Sequence, residues 1–146
     1  MSTLSELLRI KEGDPLHSVS QQASVLDAVL LMNDHSIGAV IVTGSGKMSG
    51  IFTERDVLRR VVGAGRDPAT TPVEEVMTVR VICCTPATTG DEARTLMKNR
   101  RIRHLPVLDS EGDVVGLISI GDLNAYAASH QEVTIHYLHE YLHGRM

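Results

Sequence analysis

The chain of 146 residues is poor in aromatic side chains, with no tryptophan, one phenylalanine and three tyrosines. Its hydrophobic core must therefore be built from aliphatic residues. Proteins that bind single-stranded nucleic acid stack the bases on aromatic side chains, and this chain has few to offer. The formal net charge of −4 argues in the same direction, because surfaces that bind nucleic acid are basic. We expect no nucleic acid among the partners.

Long apolar runs are also missing. A membrane-spanning helix needs about 20 consecutive apolar residues, and no stretch of the sequence approaches that length. The N-terminus places Glu6, Arg9 and Lys11 among its leucines, so it lacks the apolar core of a secretory signal peptide. We expect a cytoplasmic protein that makes no membrane contact.

Cysteine is scarce, because the sequence holds only Cys83 and Cys84. A disulfide between adjacent cysteines is strained, and two ligands alone cannot build a structural zinc site. We predict two free thiols in a strand over residues 81–85, one on each face of the strand.

The sequence does contain an internal repeat. Residues 27–32 (DAVLLM) correspond to residues 92–97 (EARTLM), and residues 50–56 (GIFTERD) correspond to residues 116–122 (GLISIGD). In each copy, apolar residues at helical spacing precede two short apolar stretches joined by a glycine turn, and a second helix follows. The predicted order in each copy is strand, helix, strand, strand, helix.

The two copies predict an α/β (α+β) fold. Ser24 and Thr89 stand where an N-cap would begin the first helix of each copy. A copy of about 50 residues cannot bury enough surface alone, whereas two packed copies can. The predicted segments are an N-terminal helix or lead-in at residues 1–13, the first repeat at 14–66, a linker with a short helix at 67–77, the second repeat at 78–129 and a C-terminal helix at 130–146.

The junction between the second strand and the second helix carries the most chemistry. It places a hydroxyl at the strand end and an acid three residues later, as Thr53 with Asp56 and as Ser119 with Asp122. Free N–H groups at a helix start can hold an anion, and a carboxylate in the first turn can accept from the vicinal hydroxyls of a ribose. A capping box would use the same residues, and capping and binding are compatible.

These motifs resemble tandem CBS (cystathionine-beta-synthase) domains, a pair called a Bateman module, of the stand-alone bacterial type. The resemblance rests on the two copies of glycine, two apolar residues, Thr or Ser, two further residues and Asp, and on RIRHLPV at residues 101–107. It covers residues 14–129. It implies two β-α-β-β-α repeats related by pseudo-twofold symmetry, with the sheets packed centrally, the helices outside and two clefts between the repeats.

The resemblance also implies a function and a set of site residues. Such modules are non-catalytic, require no cofactor, form homodimers and sense energy or redox state by binding AMP, ADP, ATP or NAD, which an unidentified regulated protein then reads. Asp56 and Asp122 would hold ribose hydroxyls, and Thr53 and Ser119 would lie near the first phosphate. The implied nucleotide contacts are Ile37, Gly38, Ile51, Thr53, Asp56, Thr78, Arg80, Ile102, Arg103, His104, Leu117, Ser119 and Asp122.

The two copies differ at the start of their first long strand. The second copy has Arg103 and His104 where the first has Gly38 and Ala39. Arginine pairs bidentately with phosphate, so we predict that the cleft served by Asp122 holds phosphate better. The alternative is that the cations near this point only stabilise the C-terminal end of the preceding helix, where the helix dipole is negative. These cations are Lys98, Arg100 and Arg101.

The sequence HEYLH at residues 139–143 matches the zinc-protease pattern H-E-x-x-H. Only three residues follow it, so no third ligand can come from downstream, and a terminal helix makes no substrate cleft. Adventitious metal binding with His136 is an alternative. We favour a helix with an apolar face that packs in a dimer and predict no metal site.

Three functions remain to be weighed. A ligand-sensing module is favoured because both Asp56 and Asp122 are present. A purely structural dimerisation module without a nucleotide is the alternative. An enzyme is disfavoured, because no nucleophile-base pair, metal site or paired carboxylates can be assembled from the sequence.

Overall fold

The structure is a computed structural model that describes residues 2–13 and 15–128. It has a mixed α and β fold, as the sequence predicts. In the described part of the chain, no helix is long and apolar enough to cross a membrane. The helices are α1 (Leu4–Ile10), α2 (Val25–Asp34), α3 (Glu54–Asp56), α4 (Gly90–Arg100) and α5 (Ile120–Ala127). The strands are β1 (Ser18–Ser20), β2 (Ala39–Gly44), β3 (Lys47–Thr53), β4 (His104–Leu108) and β5 (Val114–Ser119).

The first repeat forms a three-stranded sheet in the order β1-β2-β3. Strand β1 runs parallel to β2, and β2 pairs antiparallel with β3. Ser45 and Gly46 form the turn between β2 and β3 with φ of 53° and 78°, which is the left-handed backbone that tight hairpins of this twist require. The predicted hairpin is confirmed.

The second repeat forms only a two-stranded sheet, β4-β5. The strand predicted at residues 81–85 is reduced to a single parallel bridge between Cys84 and Val107. The cause is a proline. In the first repeat the Ile41 N–H donates to the His17 carbonyl, but Pro106 occupies the corresponding place opposite Leu117 and has no N–H to donate. Two backbone hydrogen bonds remain, from the Cys84 N–H to the Pro106 carbonyl at 2.9 Å and from the Leu108 N–H to the Cys84 carbonyl at 2.8 Å, so the segment lies beside β4 as a bridge and not as a strand.

Both cysteines are free thiols, as predicted, and Cys84 is buried. Burial raises the pKa of each thiol, because desolvation disfavours the thiolate.

Two helical predictions need correction. The second helix predicted for the first copy begins as α3 and continues as a π-helical turn, Val57–Val62. The short helix predicted within the linker at residues 67–77 is a 3₁₀ turn, Val73–Glu75. The C-terminal helix and the HEYLH sequence lie outside the described residues.

The buried hydrophobic residues form two clusters, one in each repeat. Each cluster also contains residues that lie outside its own repeat in the sequence. Val73, Val76 and Met77, which precede the second repeat, pack into the core of the first. Leu4 and Leu7 of α1, which precede the first repeat, pack into the core of the second. We call residues 72–78 the linker segment and residues 2–11 the N-terminal segment.

Backbone bridges show the same exchange. Pro72 of the linker segment pairs with Ser24, the N-cap of α2, and Thr3 of the N-terminal segment pairs with Thr89, the N-cap of α4. The side chains of both N-caps accept from the backbone three residues on, which confirms the predicted caps. Each repeat is therefore completed by the segment that leads into the other one.

Candidate functional site

The first junction between strand and helix is a closed capping box. The Thr53 side chain accepts from the Asp56 N–H at 3.4 Å, and Asp56 Oδ2 accepts from the Thr53 N–H at 3.0 Å. The box holds the carboxylate at the start of α3, where free N–H groups gather. Asp56 is only 3% exposed, which is rare for an acid unless it is hydrogen-bonded.

Two further groups contact Asp56. The Thr78 hydroxyl donates to Asp56 Oδ1 at 3.1 Å. Strand β3 holds Thr78 in place, because Ile51 of β3 and Thr78 exchange two backbone hydrogen bonds. Arg60 lies one helical turn beyond Asp56, with its Nε 3.6 Å from Oδ1, and donates to the Met77 carbonyl at 2.9 Å. Asp56 is therefore held by strand, helix and linker at once.

The second junction repeats the capping box with serine. Ser119 Oγ accepts from the Asp122 N–H at 3.0 Å, and Asp122 Oδ2 accepts from the Ser119 N–H at 2.8 Å. The Asp122 side chain is 27% exposed, so solvent reaches it more readily than Asp56. The capping interpretation of both motifs is confirmed.

A cation of the N-terminal segment contacts Asp122. Lys11 Nζ donates to Asp122 Oδ2 at 2.9 Å and to the Leu117 carbonyl at 3.0 Å. Both side chains are partly buried, with 29% and 27% of their surfaces exposed. A charge-assisted hydrogen bond in such a place is stronger than one at the open surface.

A cleft of about 360 Å³ opens beside Asp56. Apolar side chains form part of its wall, among them Ile51, Val81 and Ile102. Its positive charge comes from arginines that three separate parts of the chain contribute. The arginines that line it are Arg55, Arg59, Arg60, Arg80 and Arg103.

A second cleft of about 670 Å³ lies beside Asp122. Among the described residues that line it there is no arginine, and its cation is Lys11. Its wall carries imidazole groups instead. His17 and His35 stack with their ring centroids 3.9 Å apart, and His104 completes this set.

His104 and Gly38 line both clefts and therefore mark the boundary between them. A Cβ built on Gly38 would lie 3.2 Å from His104 Cε1. The residue before β2 and the first residue of β4 therefore contact each other at this point. Burial lowers the pKa of His104, because desolvation disfavours the imidazolium. Glu54 and Asp122 act in the opposite sense through their charges, whereas Arg103 and Lys11 add to the lowering.

The predicted contacts divide between the clefts in an unexpected way. Arg103 lines the cleft of Asp56 and not that of Asp122, so its assignment to the Asp122 cleft, on which the prediction of better phosphate binding there rested, is wrong. The start of each repeat's first long strand faces the junction of the other repeat. Lys98, Arg100 and Arg101 are among the lining residues of neither cleft.

The other predicted residues all line one of these clefts. Those at the Asp56 cleft are Gly38, Ile51, Thr53, Thr78, Arg80, Ile102 and His104. Those at the Asp122 cleft are Ile37, Gly38, His104, Leu117 and Ser119. Their contact with a nucleotide stays a prediction.

Sequence reasoning missed the arginines of the π-helical turn and the lysine of the N-terminal segment. Arg59 and Arg60 follow Asp56 at one helical turn, and that spacing was a usable signal because residues four apart share a helix face. Lys11 gave no comparable signal, since it lies 111 residues from Asp122 in the chain.

The comparisons with known proteins agree with this architecture. The sequence model of the CBS domain matches residues 4–63 and 73–129. The mitochondrial CBS domain-containing protein CBSX3 of Arabidopsis thaliana is 35% identical over 153 residues, which cover 98% of this chain and 73% of that protein. Both matched ranges begin within the exchanged segments, which are thus parts of the matched units.

Two solved structures show the same fold. A signal-transduction protein with CBS domains from Burkholderia ambifaria is 40% identical, with a TM-score of 0.85, over 90% of this chain and 97% of that one. A CBS domain protein from Pyrobaculum aerophilum, solved in complex with AMP, is 24% identical, with a TM-score of 0.72, over 82% and 88% of the two chains. The second likeness shows the fold alone.

Proposed function

The chain belongs to the CBS domain family as two domains in tandem, and from this we propose that it is a non-catalytic regulatory module that binds an adenine nucleotide in the Asp56 cleft. The candidate ligands are AMP, ADP, ATP and NAD. The observation that carries the proposal is a carboxylate at a helix start in the same cleft as five arginines.

Each part of a nucleotide has a counterpart in this cleft. The Asp56 carboxylate suits the two hydroxyls of a ribose, the apolar wall around Ile51 and Ile102 suits a base, and the guanidinium groups suit phosphates. A volume of about 360 Å³ lies within the range of small-molecule sites. The Pyrobaculum protein holds AMP on the same fold, which supports the ligand class without identifying the ligand here.

Regulation requires that ligand binding changes a conformation that a partner protein can recognise. The cleft is bordered by both repeats and by the linker segment, so a ligand there bears on how the repeats pack. A ligand shifts such an equilibrium only by its difference in affinity for the two arrangements. We propose that the occupied cleft favours one packing of the repeats and that a regulated protein in the cytoplasm reads it.

Isothermal titration calorimetry tests the proposal. AMP, ADP, ATP and NAD are titrated into the wild type, shown to be free of carried-over ligand, and into Asp56→Asn, which keeps the side-chain volume. We expect micromolar binding of at least one nucleotide by the wild type and a loss of about tenfold or more in the variant. The matched control is Asp113→Asn, which removes an exposed carboxylate outside both clefts. Absence of heat with all four ligands would contradict nucleotide binding.

A structural dimerisation module is the second candidate, because helices of the first repeat expose apolar side chains. Leu58 and Val62 are 67% and 66% exposed, and Leu26 and Leu30 of α2 are 39% and 49% exposed. The two residues of each pair are four apart and so share a helix face, and exposed apolar patches mark interaction surfaces. Sedimentation of the wild type beside Leu58→Glu measures this: we expect a homodimer that the variant dissociates. A dimer without any nucleotide binding would favour the second candidate.

A further inference from the structure

The strongest feature outside the proposed nucleotide contacts is the placement of Lys11. It caps the end of α1, and its ammonium group crosses to the second junction, where it meets Asp122 and the Leu117 carbonyl at 2.9 and 3.0 Å. The side chain is 29% exposed and borders the second cleft. It therefore takes up one of the hydrogen-bonding positions of the Asp122 carboxylate at this cleft.

The first repeat shows what stands in the equivalent place. Leu117 corresponds to Ile51, and Asp122 corresponds to Asp56. In the first repeat Thr78 makes both contacts, with its backbone N–H donating to the Ile51 carbonyl at 2.9 Å and its hydroxyl donating to Asp56 at 3.1 Å. In the second repeat a single ammonium makes both. At the second junction a cation thus donates directly to the acid at 2.9 Å, whereas at the first a hydroxyl makes this contact and the Arg60 Nε lies 3.6 Å away.

We propose that Lys11 is an intramolecular competitor for Asp122, which determines what the second cleft accepts. A ligand whose ribose hydroxyls need the carboxylate must first displace the ammonium, so the Asp122 cleft binds adenosine compounds more weakly than its own shape would allow. This proposal rests on the proposed function, because it assumes that the acid at each junction contacts a ribose.

The rest of α1 is firmly anchored, which confines the displacement to its end. Leu4 and Leu7 are 0% and 4% exposed within the second core, and the Leu8 side chain lies against Gly116. Lys11 can leave Asp122 by rotating its own side chain while α1 stays in place.

Calorimetry with adenosine tests the competition. Adenosine has no phosphate that could attract the ammonium, so it isolates the ribose contact. Lys11→Met keeps the aliphatic stem and removes the charge. We expect the weaker of two sites to bind adenosine about tenfold more tightly in the variant, since a hydrogen bond between charged groups no longer has to be broken. The affinity of the stronger site should not change.

Lys47→Met is the matched control. Lys47 also forms a 2.9 Å ion pair with an aspartate of the other repeat, but this pair is exposed and outside both clefts. We expect no effect on adenosine binding. A weaker site that is unchanged or weakened in Lys11→Met would overturn the proposal, because Lys11 would then be neutral toward the ligand or would assist it.

A measurement without ligand separates this proposal from the proposed function. In protein labelled with ¹⁵N-lysine, an ion-paired ammonium exchanges its protons with water more slowly than an exposed one. We expect the slowest ammonium signal to come from Lys11, whose ion pair is less exposed than that of Lys47, and to be lost in Lys11→Met and in Asp122→Asn. If no ligand bound either cleft, the proposed function would fail while this signal still showed whether Lys11 occupies Asp122. A Lys11 ammonium that exchanges as fast as that of exposed Lys98 would overturn the occupancy itself.

Discussion

The two clefts share one scaffold and differ in their charges. Both contain a capping box with its acid in the first turn of a helix. The first gathers five arginines, and the second is lined by a lysine and three histidines. The scaffold has been kept because local backbone hydrogen bonds require it. The charges differ because the remaining side chains are not needed for the capping box: they come from the rest of the same helix, as Arg59 and Arg60 do, or from other segments, as Arg103 and Lys11 do.

The largest expected contrast between the clefts is in stability. Asp56→Ala leaves the Thr53 N–H and the Thr78 hydroxyl without their buried acceptor, so we expect it to lower the free energy of unfolding by about 3 kcal/mol. Asp122→Ala removes a cap that is partly solvated and should cost about 1 kcal/mol. Urea denaturation followed by circular dichroism measures both. Equal losses would show that the two carboxylates are equally embedded.

The paired glycines beneath the exchanged segments give a second contrast. A Cβ at Gly50 would lie 2.7 Å from the Thr78 carbonyl oxygen, which is backbone, whereas a Cβ at Gly116 would meet the end of the flexible Leu8 side chain. We expect Gly50→Ala to cost about 2 kcal/mol and Gly116→Ala about half as much. Thermal unfolding compares them. A larger loss for Gly116→Ala would mean that α1 cannot adjust.

The arginines sharpen the contrast in ligand preference. Arg103→Ala should weaken ATP binding by about tenfold, because one guanidinium-phosphate contact is lost, and should leave adenosine binding nearly unchanged. Arg100→Ala is the control, since Arg100 ends α4 and lies outside both clefts. Calorimetry with both ligands decides. Equal losses for ATP and adenosine would show that Arg103 supports the cleft wall and does not bind phosphate.

The smallest effect is expected at the boundary of the clefts. Because desolvation lowers the pKa of His104 in the folded protein, the unfolded chain binds its proton more readily. The free energy of unfolding should therefore be highest above the usual histidine pKa of about 6.5 and fall as the pH drops below it. Unfolding of the wild type and His104→Gln at pH 7.5 and 5.5 measures this. An identical pH dependence in both would assign it to other groups.

Local patterns predicted most of the fold, and long-range contacts account for the errors. The caps at Ser24 and Thr89 and both capping boxes depend on residues three apart, so the sequence alone sufficed. The third strand predicted for the second sheet is shortened to a bridge because Pro106 has no N–H to donate to it, although the apolar pattern of residues 81–85 favours a strand. The assignment of Arg103 to the wrong cleft arose because facing surfaces follow from the packing of two repeats, which the spacing along one repeat does not encode.

The contact between Lys11 and Asp122 shows the same limit more sharply. An exposed-looking lysine at the end of a short helix carries no local sign of its distant carboxylate. Thr78 was predicted as a nucleotide contact only through the resemblance. Its hydrogen bond to Asp56 depends on the antiparallel bridge that pairs Thr78 of the linker segment with Ile51 of β3. Side chains contributed by crossing segments are thus the least predictable part of each cleft.

The exchange of lead-in segments bears on how such a chain could arise. A single ancestral copy would have had its own lead-in segment and no second repeat in the same chain to pack against it. Two such chains, each packing its lead-in segment on the other, would have buried apolar surface that neither could bury alone. Gene duplication and fusion would then have converted this contact between two molecules into a contact within a single polypeptide, in which the two repeats could acquire different functions.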